Sequence, residues 1–182
     1  VMRNPEQFKK EIITSKQVGQ PQVFLLDDVL NDPEGAQKRA VEVIKRIKEQ
    51  DPGGDIAVIC RYNFLLKDSR NEIQKAGLSK GVKFWTFHRS KGLEADYCIL
   101  VGFSQGKLGF PNENRNEVIV EALLPSLDSF PHSEERRLLY VGITRARKKC
   151  YIIANPSAPS AFVTELLAPE YELNIASKAF LQ

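Results

Sequence analysis

The sequence lacks several features that would place it in a specialised class of protein. Its 182 residues include only three cysteines, two histidines, one methionine and one tryptophan. Cys60, Cys98 and Cys150 lie far apart within apolar runs, so we interpret them as buried thiols rather than as a disulfide framework or a zinc site. We expect no metal site in this chain.

Long apolar runs and a strong charge bias are also missing. No run approaches the roughly 20 residues that span a membrane, and no signal peptide is recognisable, so we expect a cytoplasmic protein with no membrane partner. The net charge of +3 permits a polyanionic partner without requiring one. Hydrophobic residues make up 42% and charged residues 27% of the chain, which excludes general disorder and predicts one folded domain.

Apolar blocks and helical patterns alternate along the chain. Buried strands are predicted at residues 23–26, 56–60, 82–87, 97–103 and 150–154. Helices are predicted at residues 33–50, 65–76 and 161–167, and after Pro131 with Ser133 as N-cap. This alternation predicts an α/β fold: a mostly parallel sheet with helices on both faces, in a three-layer RecA-like or Rossmann-like architecture. We assign residues 1–20 to a poorly defined N-terminal segment, 21–170 to the folded domain and 171–182 to a C-terminal tail.

One polar block, VKFWTFHRSKGLEADYCILVG at residues 82–102, carries candidate chemistry. A predicted strand ends near Thr86 and His88, a polar turn follows at residues 90–92, and Glu94 precedes the next strand. Hydroxyl, ammonium and backbone amide groups beside a glycine suit phosphate oxygens. By itself, however, the block is more simply interpreted as a solvated turn. The phosphate-binding pattern G-x-x-x-x-G-K-[ST] is absent from the whole sequence.

A second block, EERRLLYVGITRARKKCYIIA at residues 134–154, combines a helical pattern with an apolar strand. We interpret Arg147, Lys148 and Lys149 as a solvated charge run at the exit of the helix. Arg145 differs from them because it follows Thr144 inside an apolar register. Its planar, permanently charged guanidinium would suit a γ-phosphate.

Taken together, the two blocks resemble the late motifs of superfamily 1A helicases of the Rep and UvrD kind. That family has Thr-x-His followed by Lys-Gly-Leu-Glu, matched here by Thr86, His88 and residues 91–94. Its later motif, Glu-Glu-Arg-Arg-Leu-x-Tyr-Val-x-x-Thr-Arg-Ala, is matched by residues 134–146. The predicted strand that leads into Arg61 and Asn63 is similar to the family's Arg-x-Asn strand.

The resemblance also indicates a branch of the family. Only residues 64–81 separate the Arg-x-Asn and Thr-x-His matches, so the large 2B insertion of Rep and UvrD is absent. Residues 121–131 and 155–163, EALLPSLDSFP and NPSAPSAFV, are similar to bacterial helicase IV, which we favour. Since the chain opens at Val1 and Met2 without a start-like context, we expect it to be part of a longer bacterial protein.

The resemblance implies a C-terminal RecA-like (2A) motor domain of an ATP-dependent 3′ to 5′ DNA helicase. In such a domain Arg145 would be the catalytic arginine finger. Lys91, Gly92 and Glu94 would join Arg145 in binding the nucleotide, with Glu94 at the ribose. The cofactor would be ATP with Mg²⁺, whose ligands the resemblance places on the N-terminal RecA-like domain of the same polypeptide. The present chain alone is therefore expected to be inactive as an ATPase.

The resemblance also implies a binding site for single-stranded DNA, formed by Arg61, Asn63, Thr86 and His88. We interpret Trp85 as a core residue instead, because in a strand it would share a side with Phe87.

Two alternatives stay open at this point. The chain could be a RecA-like adaptor domain without catalysis, although an adaptor has no nucleotide for Arg145 and Glu94 to contact. It could also belong to a helicase-like, non-unwinding factor that acts on RNA polymerase or on RNA, since backbone contacts do not by themselves identify the sugar.

Overall fold

The strands of the computed structural model lie close to the apolar blocks of the sequence. The structure describes residues 22–29, 32, 34–112, 130–171, 173–176 and 180. Its strands are β1 (Val23–Asp27), β2 (Ile56–Cys60), β3 (Val82–Thr86), β4 (Ala95–Phe103), β5 (Ala146–Ala154) and the short β6 (Asn174–Ile175). Its helices are α1 (Gly35–Gln50), α2 (Asn63–Lys75), α3 (Ser133–Ile143) and α4 (Ala161–Leu166), with a 3₁₀ turn at His88–Ser90.

The described strands form one sheet in the order β3-β2-β4-β5-β1-β6, and all of its pairings are parallel. Helices α1 and α2 cover one face, where Ile44 and Ile73 pack with Val58 and Ile99 of the central strands. Helices α3 and α4, together with Phe110 from the described residues after β4, cover the other face. The α/β fold predicted from the sequence is confirmed.

The second face is built around four phenylalanines that come from separate parts of the chain. Phe87 and Phe110 stack with ring centroids 4.7 Å apart, and Phe103 and Phe162 meet Phe110 edge-on at 5.2 and 5.3 Å. The Gly-, Asn- and charge-rich residues 102–116 predict a surface loop in which residues 106–111 could pack locally, and Phe110 within that part is only 1% exposed. The part of this loop that the structure describes therefore contributes to the core.

Trp85 packs, partly buried, against the same cluster that contains Phe87, which confirms its interpretation as a core residue. Cys60, Cys98 and Cys150 are buried free thiols, as predicted. Burial raises the pKa of both Cys60 and Cys98 to about 12, so neither is a reactive thiolate at neutral pH.

Two local expectations are wrong. The residue at the N-cap position of α3 is His132, with φ of 54° and no capping side-chain hydrogen bond, whereas Ser133 is the first helical residue. The acidic side chains of Glu134 and Glu135 lie in the first turn, where the helix dipole favours them.

The charge run at residues 147–149 is the second correction. These residues belong to β5, which starts at Ala146, and not to the exit of a helix. The strand begins early because Ala146 pairs with Ala95 and Lys149 with Tyr97 of β4. Residues 146–149 pair with β4 outside the buried core, so they are not apolar and the sequence did not predict them as part of the strand.

Residues 1–21 and most of 177–182 lie outside the described residues, as does the segment EALLPSLDS at 121–129. Among the residues described, no helix is long and apolar enough to cross a membrane.

Candidate functional site

Arg145 lies at the amino-terminal edge of the sheet, between the end of α3 and the start of β5. Its Nε donates a hydrogen bond to the carbonyl of Val141 at 2.9 Å, and Nη2 donates to Oγ1 of Thr144 at 3.1 Å. Its Nη1 donates to the carbonyl of Leu93 at 3.3 Å. All three acceptors are neutral, so these bonds orient the guanidinium without cancelling its charge.

The turn that contacts Arg145 is the polar turn of the first block. Lys91, Gly92 and Glu94 are exposed there, immediately before β4. Gly92 has φ of +81°, a conformation that favours glycine, and a Cβ built on it would meet nothing within 4 Å. The backbone N–H of Ala95 also donates to the carbonyl of Arg145 at 3.1 Å. The fold thus brings together the residues for which the resemblance implies nucleotide binding.

The four residues with an implied DNA role lie at the opposite, carboxyl-terminal edge. Arg61 follows β2, Asn63 begins α2, Thr86 ends β3 and His88 begins the 3₁₀ turn. Cys60 pairs with Thr86 in the sheet. The ends of β2 and β3 therefore hold all four residues close together.

Arg61 forms a largely buried ion pair at this edge. Its Nε donates to Oε1 of Glu135 at 2.9 Å, and the two side chains are only 19% and 10% exposed. The other carboxylate oxygen of Glu135 accepts the backbone N–H of Asn112 at 2.5 Å. No local signal in the sequence connects Glu135 with Arg61, which lies 74 residues earlier.

The remaining residues at this edge differ in accessibility. Thr86 is buried, and its Oγ1 accepts the backbone N–H of Arg89 at 3.3 Å, whereas Asn63 and His88 are exposed. A hydroxyl that accepts one hydrogen bond can still donate its own hydrogen. Thr86 thus holds the turn that carries His88, and its hydroxyl hydrogen can still be donated to another group.

Sequence reasoning also missed an ion-pair network beside Arg145. Arg147 Nε donates to Asp96 at 3.1 Å, while Lys148 Nζ donates to Asp51 at 2.7 Å and lies 3.3 Å from Asp96. The backbone N–H of Asp55 donates to the same Asp96 carboxylate at 3.3 Å. The network joins the end of α1 to the starts of β2, β4 and β5.

The network shifts the titration of its two central carboxyls. The hydrogen bond from Lys148 is the main reason that the pKa of Asp51 lies below its ordinary value, and Tyr97 adds a second hydrogen bond. For Asp96, desolvation acts upward, but hydrogen bonds from the Asp55 backbone, Lys148 and Arg147 outweigh it and lower the pKa. Both groups are therefore ionised at neutral pH.

Comparison with known proteins identifies similar sequences. The family model of the UvrD-like helicase C-terminal domain matches residues 37–157. DNA helicase IV of Escherichia coli K12 is 35% identical over 163 residues, which cover 90% of this chain and 23% of that protein. The ATP-dependent DNA helicase UvrD2 of Mycobacterium tuberculosis H37Rv is 44% identical over 78 residues, which cover 43% of this chain and 10% of that protein. The chain thus spans less than a quarter of the length of these relatives.

A solved structure has the same fold. The C-terminal domain of a possible DNA helicase from Lactobacillus plantarum WCFS1 superposes with a TM-score of 0.55 at 17% identity, covering 87% of both chains. At this identity the likeness concerns the arrangement of helices and strands alone.

Proposed function

The chain belongs to the UvrD-like helicase C-terminal domain family, and from this premise we propose that it is the second motor domain of an ATP-dependent DNA helicase. In this proposal the amino-terminal edge of the sheet binds the nucleotide and the carboxyl-terminal edge binds single-stranded DNA. The N-terminal RecA-like domain of the same polypeptide completes the nucleotide site. A 3′ to 5′ direction follows from the family resemblance alone.

The observation that carries the proposal is the hydrogen bond between Arg145 Nη1 and the carbonyl of Leu93, at 3.3 Å. It joins two motifs that lie 52 residues apart. The two motifs carry the guanidinium, the ammonium of Lys91, the carboxylate of Glu94 and the unobstructed backbone of Gly92. The turn at residues 91–94 and the adjacent Arg145 thus together present groups that suit a nucleotide.

These residues fit ATP chemically. Arg145 and Lys91 supply positive charge for phosphate oxygens, and Gly92 lets the backbone approach them without a side chain in the way. The carboxylate of Glu94 can accept hydrogen bonds from ribose hydroxyls. Bound MgATP would supply the phosphoanhydride bond whose hydrolysis drives the motor, with the Mg²⁺ ligands on the N-terminal domain.

Arg145 would act on the charge that develops during hydrolysis. A guanidinium held by neutral carbonyls keeps its full charge for an incoming phosphoryl group, and its fork can donate to two oxygens at once. Such a group stabilises the transition state more than the bound substrate. We therefore assign to Arg145 the role of arginine finger.

At the other edge, Arg61, Asn63, Thr86 and His88 offer a charge and hydrogen bonds to a sugar-phosphate backbone. Contacts of this kind fix the position of a strand without selecting its sequence. They suit a motor that moves along any single strand.

The test is Arg145→Ala in the full-length protein that carries this domain, assayed for ATP hydrolysis stimulated by single-stranded DNA. The expected result is a loss of kcat of roughly 10³- to 10⁵-fold with a much smaller change in KM, because an arginine finger acts on the transition state. Arg145→Lys should rescue poorly, since an ammonium lacks the planar fork.

Arg147→Ala is the matched control, because Arg147 lies two residues away but pairs with Asp96. It should leave kcat within about threefold of wild type, which corresponds to less than about 1 kcal/mol. A kcat for Arg145→Ala that is equally close to wild type would reduce Arg145 to an ordinary helix-end cation and would support an adaptor role for the domain.

A further inference from the structure

Arg61, Tyr62 and Phe64 lie next to one another at the carboxyl-terminal edge. We refer to these three flat side chains as the aromatic ladder. The guanidinium carbon of Arg61 lies 5.4 Å from the centroid of the Tyr62 ring. The rings of Tyr62 and Phe64 are 5.4 Å apart between centroids, with their planes inclined by 13°. Tyr62 thus packs against both Arg61 and Phe64, and Phe64 is the more exposed ring.

Phe64 is 44% exposed and is not among the buried residues of its helix. The buried residues of α2 are Leu66, Ser69 and Ile73. Phe64 precedes Leu66 by two residues, which places it about 200° around the helix from that residue. Its side chain therefore lies on the side of the helix opposite Leu66, away from the sheet.

The ladder lies within the proposed DNA edge. It starts directly after β2, whose last residue, Cys60, pairs with Thr86 and accepts the backbone N–H of Phe87 at 3.1 Å. Asn63 lies inside the ladder segment itself. The residues proposed to hold a sugar-phosphate backbone are thus immediate neighbours of an exposed ring.

An exposed ring beside residues that suit a sugar-phosphate backbone favours one class of ligand, a single strand of nucleic acid. A single strand of nucleic acid carries negative phosphates and unpaired bases with open π faces, whereas a duplex hides those faces inside its stack. The exposed amide of Asn63 and the guanidinium of Arg61, which shares its charge with Glu135, complement the first feature, and the ring of Phe64 complements the second. Stacking on Tyr62 orients the Phe64 ring before a base arrives, which lowers the entropic cost of binding.

We propose that Phe64, supported by Tyr62 and Arg61, is a stacking site for one unpaired base of the strand that lies along this edge. The proposal rests on the DNA edge of the proposed function and adds a base contact to its backbone contacts. Because every base has a π face, the site tolerates any sequence but discriminates against a strand that lacks bases.

The test measures the affinity of this chain for two fluorescently labelled strands of equal length, oligodeoxyadenylate and an abasic deoxyribose-phosphate strand. Wild type should bind the strand with bases more tightly, and Phe64→Leu should weaken that binding roughly tenfold while leaving the abasic strand unaffected. Phe64→Trp should retain the affinity and show additional fluorescence quenching on binding. Leu108→Ala is the control, because Leu108 is also a large exposed apolar residue, at 63%.

The ratio of the two affinities is measured within one protein preparation, so a loss of folded protein does not change it. An unaltered ratio in Phe64→Leu would overturn the stacking site, even if both strands still bind through Arg61. Failure of wild type to bind either strand would instead reject the DNA edge itself, and the stacking site with it. Phe64→Leu could also leave the ratio of the two affinities unaltered but weaken the packing of this domain against the rest of the full-length protein. That result would overturn the stacking site and make Phe64 a contact between domains.

Discussion

Arginine is used in three electrostatic settings within a short distance of the two sheet edges. Arg61 pairs with the largely buried carboxylate of Glu135, Arg147 pairs with Asp96, and Arg145 is held by neutral oxygens. Pairing lowers the charge that a side chain can offer to a phosphate, whereas carbonyl contacts orient it and leave the charge available. The environment of each guanidinium, and not its residue type, therefore distinguishes Arg145 from Arg61 and Arg147, whose charge is partly balanced by carboxylates.

At the residue scale, Arg61→Ala should weaken binding of single-stranded DNA and also flatten its salt dependence. Removing one full ion pair with a phosphate should lower the slope of log K against log salt by roughly 0.7 for a single strand. The measurement is a titration with oligothymidine and with a mixed-sequence strand across a salt series.

The other residues at this edge should respond differently in the same titration. Thr86→Val and Asn63→Ala remove neutral hydrogen bonds, so affinity should fall while the slope stays nearly constant. Arg46→Ala, which removes an exposed arginine on α1, should change neither quantity. If Arg61→Ala left the slope at the wild-type value, the guanidinium would serve Glu135 alone.

At the element scale, α3 connects the two edges of the sheet. Its first turn holds Glu135, which pairs with Arg61, and Arg145 follows its last turn and donates to Val141. The helix fits closely against the sheet because Gly142 has no side chain. A Cβ at this position would lie 2.3 Å from Cε1 of Phe87.

We predict that Gly142→Ala destabilises the domain by roughly 1 to 3 kcal/mol, the usual cost of overpacking. The ring of Phe87 cannot withdraw easily, because it is buried and stacked on Phe110 at 4.7 Å. The better helix propensity of alanine, about 1 kcal/mol, acts in the opposite direction and does not remove the clash. Urea unfolding of the two proteins gives the difference.

Gly53→Ala is the control for that measurement, since a Cβ there would meet nothing within 4 Å. It should leave the free energy of unfolding within about 0.5 kcal/mol of wild type. Equal stability of Gly142→Ala and wild type would show that α3 can move off Phe87 at little cost.

At the scale of the whole molecule, ion pairs connect the elements that meet at the amino-terminal edge of the sheet. Asp51 and Asp96 connect α1, β2, β4 and β5 through Lys148, Arg147 and the backbone of Asp55. Because the folded state lowers the pKa of both carboxyls, it releases their protons more readily than the unfolded chain does. Their contribution to stability is present above the ordinary aspartate pKa of 3.8 and is lost as pH falls through the lower folded values.

The double variant Asp51→Asn with Asp96→Asn should therefore melt at a lower temperature than wild type at pH 7. The two melting temperatures should converge as pH falls below about 4, since wild type then protonates the groups that the variant lacks. Thermal melts followed by circular dichroism between pH 7 and pH 2.5 provide the comparison. A difference that stays constant over this range would mean that the two carboxylates contribute through packing or geometry, not through charge.

Whether the chain can hydrolyse ATP also depends on the whole molecule. The chain has no G-x-x-x-x-G-K-[ST] pattern, so it lacks the loop that cradles the phosphates in motors of this kind. We predict that the purified 182-residue chain is folded but hydrolyses ATP no faster than a buffer blank, with or without single-stranded DNA. DNA-stimulated turnover by a monomeric preparation would refute the assignment of this domain to one half of the ATP site.

The order of apolar blocks and helical patterns in the sequence was sufficient to predict the parallel α/β fold, because residue periodicity and block length are local properties. The motif residues were likewise visible, since Thr86, His88, Lys91 and Arg145 occur in short, recognisable strings. Their grouping into two edges could be anticipated in part, because the ends of parallel strands coincide.

Only the tertiary structure decided which of these residues meet. The pairing of Arg61 with Glu135, the close fit of Gly142 against Phe87 and the contact of Arg145 with Leu93 all depend on strand register and on how α3 crosses the sheet. The cations at residues 147–149 showed no strand pattern because their partners lie in other elements: carboxylates balance Arg147 and Lys148, and Lys149 lies over the ring of Phe24. Such long-range pairing leaves no periodic signal, so it emerges only when the whole chain has folded.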